Sequence, residues 1–234
     1  MTDTGAVLAV FAHPDDAEIA AGGTLARMAA EGRPVHLLVL TNGDRGSQDP
    51  TLDRAELATV RRREQEAAAH VLGLTSWRIL NVHDGELENT TAIRAEVVRV
   101  MRELRPHTVV TCDPSAVILG TTRCYYNHPD HRAAGTIALD CCVYASGNPH
   151  FFPEQLGEGL EPWDVPEALL GWSVEINHHE DVTGYLDTKV AALAEHRSQV
   201  SEGNFEEWLP KVAANSGKVI GVTHAEPFRR LRLR

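Results

Sequence analysis

The sequence predicts an α/β fold, a Rossmann-like three-layer arrangement around a mainly parallel sheet. Two observations lead there. Four short apolar runs, at 6–11, 35–40, 77–82 and 108–112, read as buried strands. Each is followed by a longer stretch of helical period or by a loop that feeds one, and strands alternating with helices pair in parallel through right-handed crossovers.

The elements follow in order. The first run leads into a helical stretch ending near residue 30, in which Gly22-Gly23 weakens the start and Thr24 offers a second cap. The second run meets a glycine-flanked loop, 42–46. Leu57, Val60, Ala67, Ala68 and Val71 then recur at helical spacing until Gly73 stops them. After the third run, Ile93, Val97, Val100, Met101 and Leu104 mark an amphipathic helix that closes before Pro106. The fourth run opens onto a loop, 113–127, and a helix predicted to reach about residue 145. Residues 147–166, rich in Gly, Pro and Glu, read as a long surface connection of the kind that acts as a lid near a ligand edge. A fifth strand is expected at 168–174 and a helix at 186–200. With no clear linker, the expectation is one domain over 1–234.

Composition narrows the classes of partner. The 234 residues are 43% hydrophobic and 24% charged, with a net charge of −11, which argues against a nucleic-acid partner because phosphate binding needs a basic face. The exception, Arg229, Arg230, Arg232 and Arg234, reads as a solvated tail. The four cysteines, Cys112, Cys124, Cys141 and Cys142, show no paired spacing, and a reduced, cytoplasmic setting is the expectation. Neither a signal peptide nor a membrane-spanning apolar run is visible. A monomer and a homo-oligomer are both compatible with the sequence.

Two stretches carry chemistry. Ala12-His13-Pro14-Asp15-Asp16 follows the first strand, at the carboxyl edge where open α/β sheets keep their ligands. It supplies an imidazole and two carboxylates, donors that zinc accepts. His13 and Asp16, three apart around a turn-forming proline, can bend toward one point, leaving Asp15 free to act as a base. Read alone, the stretch fits equally well as a turn into an acidic helix N-terminus. The second stretch, Asn127-His128-Pro129-Asp130-His131, also opens a helical pattern, with Pro129 in the first turn and two imidazoles at i and i+3 on one face. Two His-Pro-Asp corners at loop-to-helix junctions look like halves of one site.

With both motifs intact, the chain resembles the LmbE/PIG-L family of zinc-dependent N-deacetylases, whose hallmarks are an AHPDD motif after the first strand and a later HPDH motif. The loop 41–47 and the Arg61-x-x-Glu64 helix fit the same pattern less specifically. The resemblance implies His13, Asp16 and His131 as metal ligands, Asp15 as the general base of a zinc-hydroxide attack, and His128 as a group that stabilises the oxyanion or protonates the leaving nitrogen. Asp130 is the implied carboxylate partner of His128, with Asp181 a weaker candidate. Arg61 matches a substrate-binding position, although the run Arg61-Arg62-Arg63 also reads as a solvated helix face. Arg45 and Arg123 are further substrate-binding candidates. Zinc is the expected cofactor, though a His/Asp/His set also suits iron or manganese.

The expected activity is removal of an acetyl group from an N-acetylated amino sugar or a related small N-acyl amide. Two alternatives are an amidase acting on a thiol conjugate or secondary metabolite, and a non-catalytic sugar- or nucleotide-binding module with a structural metal. No dinucleotide-binding GxGxxG, P-loop, nucleophile elbow or HExxH helix occurs, so those chemistries are not supported.

Overall fold

A computed structural model describes residues 5–120, 124–200 and 205–233. Seven strands form one sheet: β1 (Val7–Phe11), β2 (Val35–Thr41), β3 (Ser76–Val82), β4 (Thr108–Cys112), β7 (Glu167–Gly171), β8 (His178–Asp181) and β9 (Ala225–Arg232). Two shorter strands, β5 (Ile118–Leu119) and β6 (Tyr125–Tyr126), make a separate hairpin. The helices are α1 (Asp16–Ala30), α2 (Arg54–Leu72), α3 (Thr91–Leu104), α4 (Pro129–Asp140), α5 (Pro153–Gly157), α6 (Leu186–Ala194), α7 (Arg197–Val200) and α8 (Phe205–Ile220).

The sheet runs β3-β2-β1-β4-β7-β9-β8. Its first four pairings are parallel, and β9 pairs antiparallel with both β7 and β8. Chain order reverses between β1 and β4, the position at which such sheets open a crevice at their carboxyl ends. Alternation along β1 builds the three layers. Leu8 and Val10 join the apolar cluster under α3 and α4, whereas Val7, Ala9 and Phe11 join the cluster under α1. All five residues of β1 are fully buried, as expected for a central parallel strand.

Several expectations need correction. The antiparallel pair β8–β9 escapes the pattern reading because three of the eight residues of β9 are arginine. Arg229, Arg230 and Arg232 are therefore sheet residues, with Arg230 paired to Glu167 and Arg229 to Glu175; Arg234 lies outside the described residues. The helix after the first strand is not re-capped at Thr24. It runs unbroken through Gly22-Gly23 because β9 and α6 supply what the glycines lack. The Glu226 carboxylate accepts from the N–H groups of Gly23 (3.0 Å) and Thr24 (2.8 Å), and Lys189 pairs with the same carboxylate in the interior. The helix expected at 186–200 breaks into α6 and α7 around His196. The helix from His128 does reach residue 145, but its last turn, Cys141–Ala145, is π-helical.

The connection 147–166 is not a lid over the ligand edge. Since α4 starts at the carboxyl edge and runs down the sheet, this segment lies at the amino edge, where Trp163 Nε1 donates to Pro106 O just before β4. Arg102 of α3, buried at 2% exposure, holds it there. Its guanidinium donates to the carbonyls of Ala145, Ser146, Asn148, Phe151 and Phe152 and to Gln155 Oε1. Stranding buried carbonyls costs more than an average hydrogen bond returns. Arg102→Met is therefore expected to destabilise the protein by about 2–4 kcal/mol, measured as a lower urea midpoint at unchanged m-value.

Candidate active site

The two His-Pro-Asp corners meet at the carboxyl edge. His13, Asp16 and His131 are all buried, and their donor atoms converge: Asp16 Oδ2 lies 3.4 Å from His13 Nδ1, and Asp16 Oδ1 lies 3.1 Å from His131 Nε2. Both contacts are near the roughly 3.3–3.6 Å that a tetrahedral ion with bonds of about 2.0–2.2 Å sets between its donors, and they engage the two different oxygens of Asp16. Among the described residues, the groups whose single donor atoms all lie within 4.8 Å of one another are His13, His128 and His131, and His13, Asp84, His128 and Asp130.

Hydrogen bonds decide which imidazole nitrogens are free. His131 Nδ1 lies 2.9 Å from Asn127 Oδ1, an acceptor, so Nδ1 carries the hydrogen and the Nε2 lone pair faces Asp16. His13 Nε2 sits between two carboxylates, 3.1 Å from Asp84 Oδ1 and 3.3 Å from Asp130 Oδ2, which likewise leaves Nδ1 for a metal. His128 is different. It caps α4, its Nδ1 accepting from Asp130 N at 3.2 Å, so a neutral ring carries its hydrogen on Nε2 and presents a donor there rather than a lone pair.

The clustered groups also shift one another's ionisation. Burial opposes ionisation of Asp16, but His131 and His13 outweigh it and hold the carboxyl far below the usual range. Burial would lower His13, yet Asp16, Asp130 and Asp84 together raise it well above the ordinary imidazole value. Burial, the largest cause, pushes His128 below the ordinary imidazole value, toward the neutral form. Asp15 stands apart, its carboxyl pushed up to about 6 by burial, with Arg61 opposing and Asp16 adding to the rise.

The Asp130 carboxylate does not pair with His128. It accepts from His13 and from the N–H groups of Gly85 (2.7 Å) and Leu87 (3.3 Å), and the carboxylate nearest His128 Nε2 is Asp84, at 3.9 Å. Asp181 accepts from Thr183 on the peripheral strand β8. Arg61 departs from the solvated face of its neighbours Arg62 and Arg63: it is 2% exposed and bonded to backbone and to Asp15. Arg45 is partly exposed near the site, donating to Asp84 O at 2.7 Å and pairing with Glu86. Arg123 lies outside the described residues.

Asp84, Gln65 and Trp172 were not singled out from the sequence. Asp84 follows β3 at the same carboxyl edge as the motifs, a signal that was present. Trp172 stacks on His131, with centroids 4.8 Å apart, yet it belongs to no motif and reaches the cluster only through the sheet order.

The family model described as PIG-L, GlcNAc-PI de-N-acetylase, matches residues 8–142, which include both corners. The chain belongs to this family. It is 33% identical over 230 residues to the diacetylchitobiose deacetylase of Thermococcus kodakarensis, covering 97% of this chain and 83% of that one. It is 31% identical over 245 residues to 1D-myo-inositol 2-acetamido-2-deoxy-alpha-D-glucopyranoside deacetylase 2 of Saccharopolyspora erythraea, covering 84% and 85%. The solved structure of N,N'-diacetylchitobiose deacetylase from Pyrococcus horikoshii, complexed with its inhibitor MPG, superposes with a TM-score of 0.88 at 32% identity, covering 98% of this chain and 85% of that one. For this PIG-L member, no helix among the described residues is long and apolar enough to cross a membrane.

Because Asn127 sets the His131 tautomer, Asn127→Ala is expected to weaken divalent-metal affinity by about 10–100-fold. Competition against a chromogenic chelator measures it.

Proposed function

We propose that the protein is a zinc-dependent N-deacetylase that hydrolyses the acetamide of an N-acetylated amino sugar. The observation that carries this reading is the division of labour within the two corners. Asp16 reaches both His13 and His131, one imidazole is locked as an N–H donor, and one carboxylate stands beside the cluster without joining it. The activities named for its relatives agree in chemistry, since both act on an acetamido sugar.

His13, Asp16 and His131 would hold the ion, leaving a position for water or substrate. Zinc so held would polarise the scissile carbonyl and lower the pKa of water toward ~7. Asp15 then accepts the proton of the attacking water and delivers it to the departing nitrogen, so that acetate and a free amine result. His128 donates from Nε2 to the developing oxyanion, a role that a neutral imidazole fills. Asp84 and Asp130 orient His13 by accepting from its Nε2–H. A structural metal in a non-catalytic module would not call for an unligated, strained carboxylate beside it.

The test is acetate release from N,N'-diacetylchitobiose and from N-acetylglucosaminyl-inositol. A chelator should abolish it and zinc restore it. Asp15→Asn is expected to lower turnover by about 10²–10⁴-fold, and His128→Ala by about 10²–10³-fold, with bound zinc retained in both. Loss of zinc from His128→Ala would overturn its role. A folded, zinc-loaded enzyme that releases no acetate from N-acetylated sugars would overturn the function.

A further inference from the structure

Asp15 occupies a backbone conformation that a residue with a Cβ adopts at a cost. Its φ is 102° and ψ −25°, the one positive φ of a non-glycine residue among the described residues before Arg105. Such strain is worth of order 1–3 kcal/mol and persists only where the surroundings over-determine it. The simplest escape is a flip of the Pro14–Asp15 peptide, which would swing φ of Asp15 toward negative values.

Both polar ends of that one peptide are held from α2. Arg61 Nη2 donates to Pro14 O, and Gln65 Oε1 accepts from Asp15 N at 3.4 Å. A flip would break both bonds at once. Arg61 Nη2 also reaches the Asp15 carboxylate, 3.2 Å from Oδ2, so one guanidinium orients the backbone and the side chain together. Gln65 is itself fully buried and cannot turn its amide over. Its Nε2 donates at 2.7 Å to Glu18 Oε1, and a carboxylate only accepts. Arg61 and Gln65 are four apart, on one face of α2.

The loop opposite is shaped around the same guanidinium. Arg61 Nη1 donates to Gly43 O at 3.0 Å. A Cβ at Gly43 would collide with the guanidinium, and one at Gly46 would lie 2.6 Å from Nη1. Both glycines of the 42–46 loop therefore leave room for Arg61.

We propose that Arg61 and Gln65 are positioning residues that lock the Pro14–Asp15 peptide and aim Asp15 at the substrate, with Gly43 and Gly46 making the space Arg61 needs. This rests on the proposed role of Asp15. Arg61 Nη1 and Nη2 are both bonded inside the protein, which is where a positioning role would act.

The experiment compares Arg61→Ala, Arg61→Lys, Gln65→Met and Gly46→Ala by steady-state kinetics on N,N'-diacetylchitobiose, by zinc content and by crystallography. Arg61→Ala and Gln65→Met should lower kcat about 10–100-fold, the scale of a small misplacement of a reacting group, with KM within about twofold and zinc retained. Lysine should not rescue Arg61, because one ammonium cannot span Pro14 O, Gly43 O and the Asp15 carboxylate. Gly46→Ala should lower kcat although it removes no charge. The crystal structure of Arg61→Ala should show the 14–15 peptide flipped and φ of Asp15 negative. A raised KM at unchanged kcat, or full rescue by lysine, would overturn the proposal. Should Arg61→Ala fail to fold, the structures of Gln65→Met and Gly46→Ala carry the same readout. If the wild-type enzyme proves not to be a deacetylase, the peptide orientation in these variants still decides: φ of Asp15 unchanged at about 100° in each would overturn it.

Discussion

Two adjacent carboxylates can serve two purposes only if the backbone turns between them, and the left-handed corner at Asp15 makes that turn. Asp16, the first residue of α1, faces two imidazoles; Asp15 faces a guanidinium on another helix. With an ordinary extended or helical φ at residue 15 the two side chains would not separate in this way. The strain is local and the restraint distant. It comes from α2, which reaches the corner because β1 and β2 are neighbours and the loop after β2 carries glycines where the guanidinium passes.

The second corner solves a different problem. A helix N-terminus disfavours a positive ring, and the fold turns that penalty into a choice of tautomer. By capping α4 with its own Nδ1, His128 stays neutral and keeps an N–H pointed toward the cluster. Asn127 and Asp130, on either side, orient the other two imidazoles, His131 and His13 respectively. With the proposed roles, a five-residue stretch supplies a ligand, a donor and the partners that set both ligand rings.

Away from the site, charge is buried where strands and helices must be joined. Glu226 and Lys189 tie β9 and α6 to the glycine-weakened middle of α1, and Arg102 gathers the carbonyls of the loop at the opposite edge. Such groups are costly when broken and are read poorly from sequence, where an arginine or glutamate defaults to the surface.

The sequence by itself determined the parallel half of the sheet, the helices that cover it, and the two motifs, because strand-buried apolar runs and short-range spacing are local properties. His13, Asp15, Asp16, His128 and His131 were legible for that reason. Tertiary structure alone decided that Arg61 turns inward while Arg62 and Arg63 do not, that Asp84 and not Asp130 lies nearest His128, and that an arginine-rich segment closes the sheet. Each of those depends on what stands opposite a side chain after folding, and contacts between residues tens of positions apart leave no period or spacing in the chain to read.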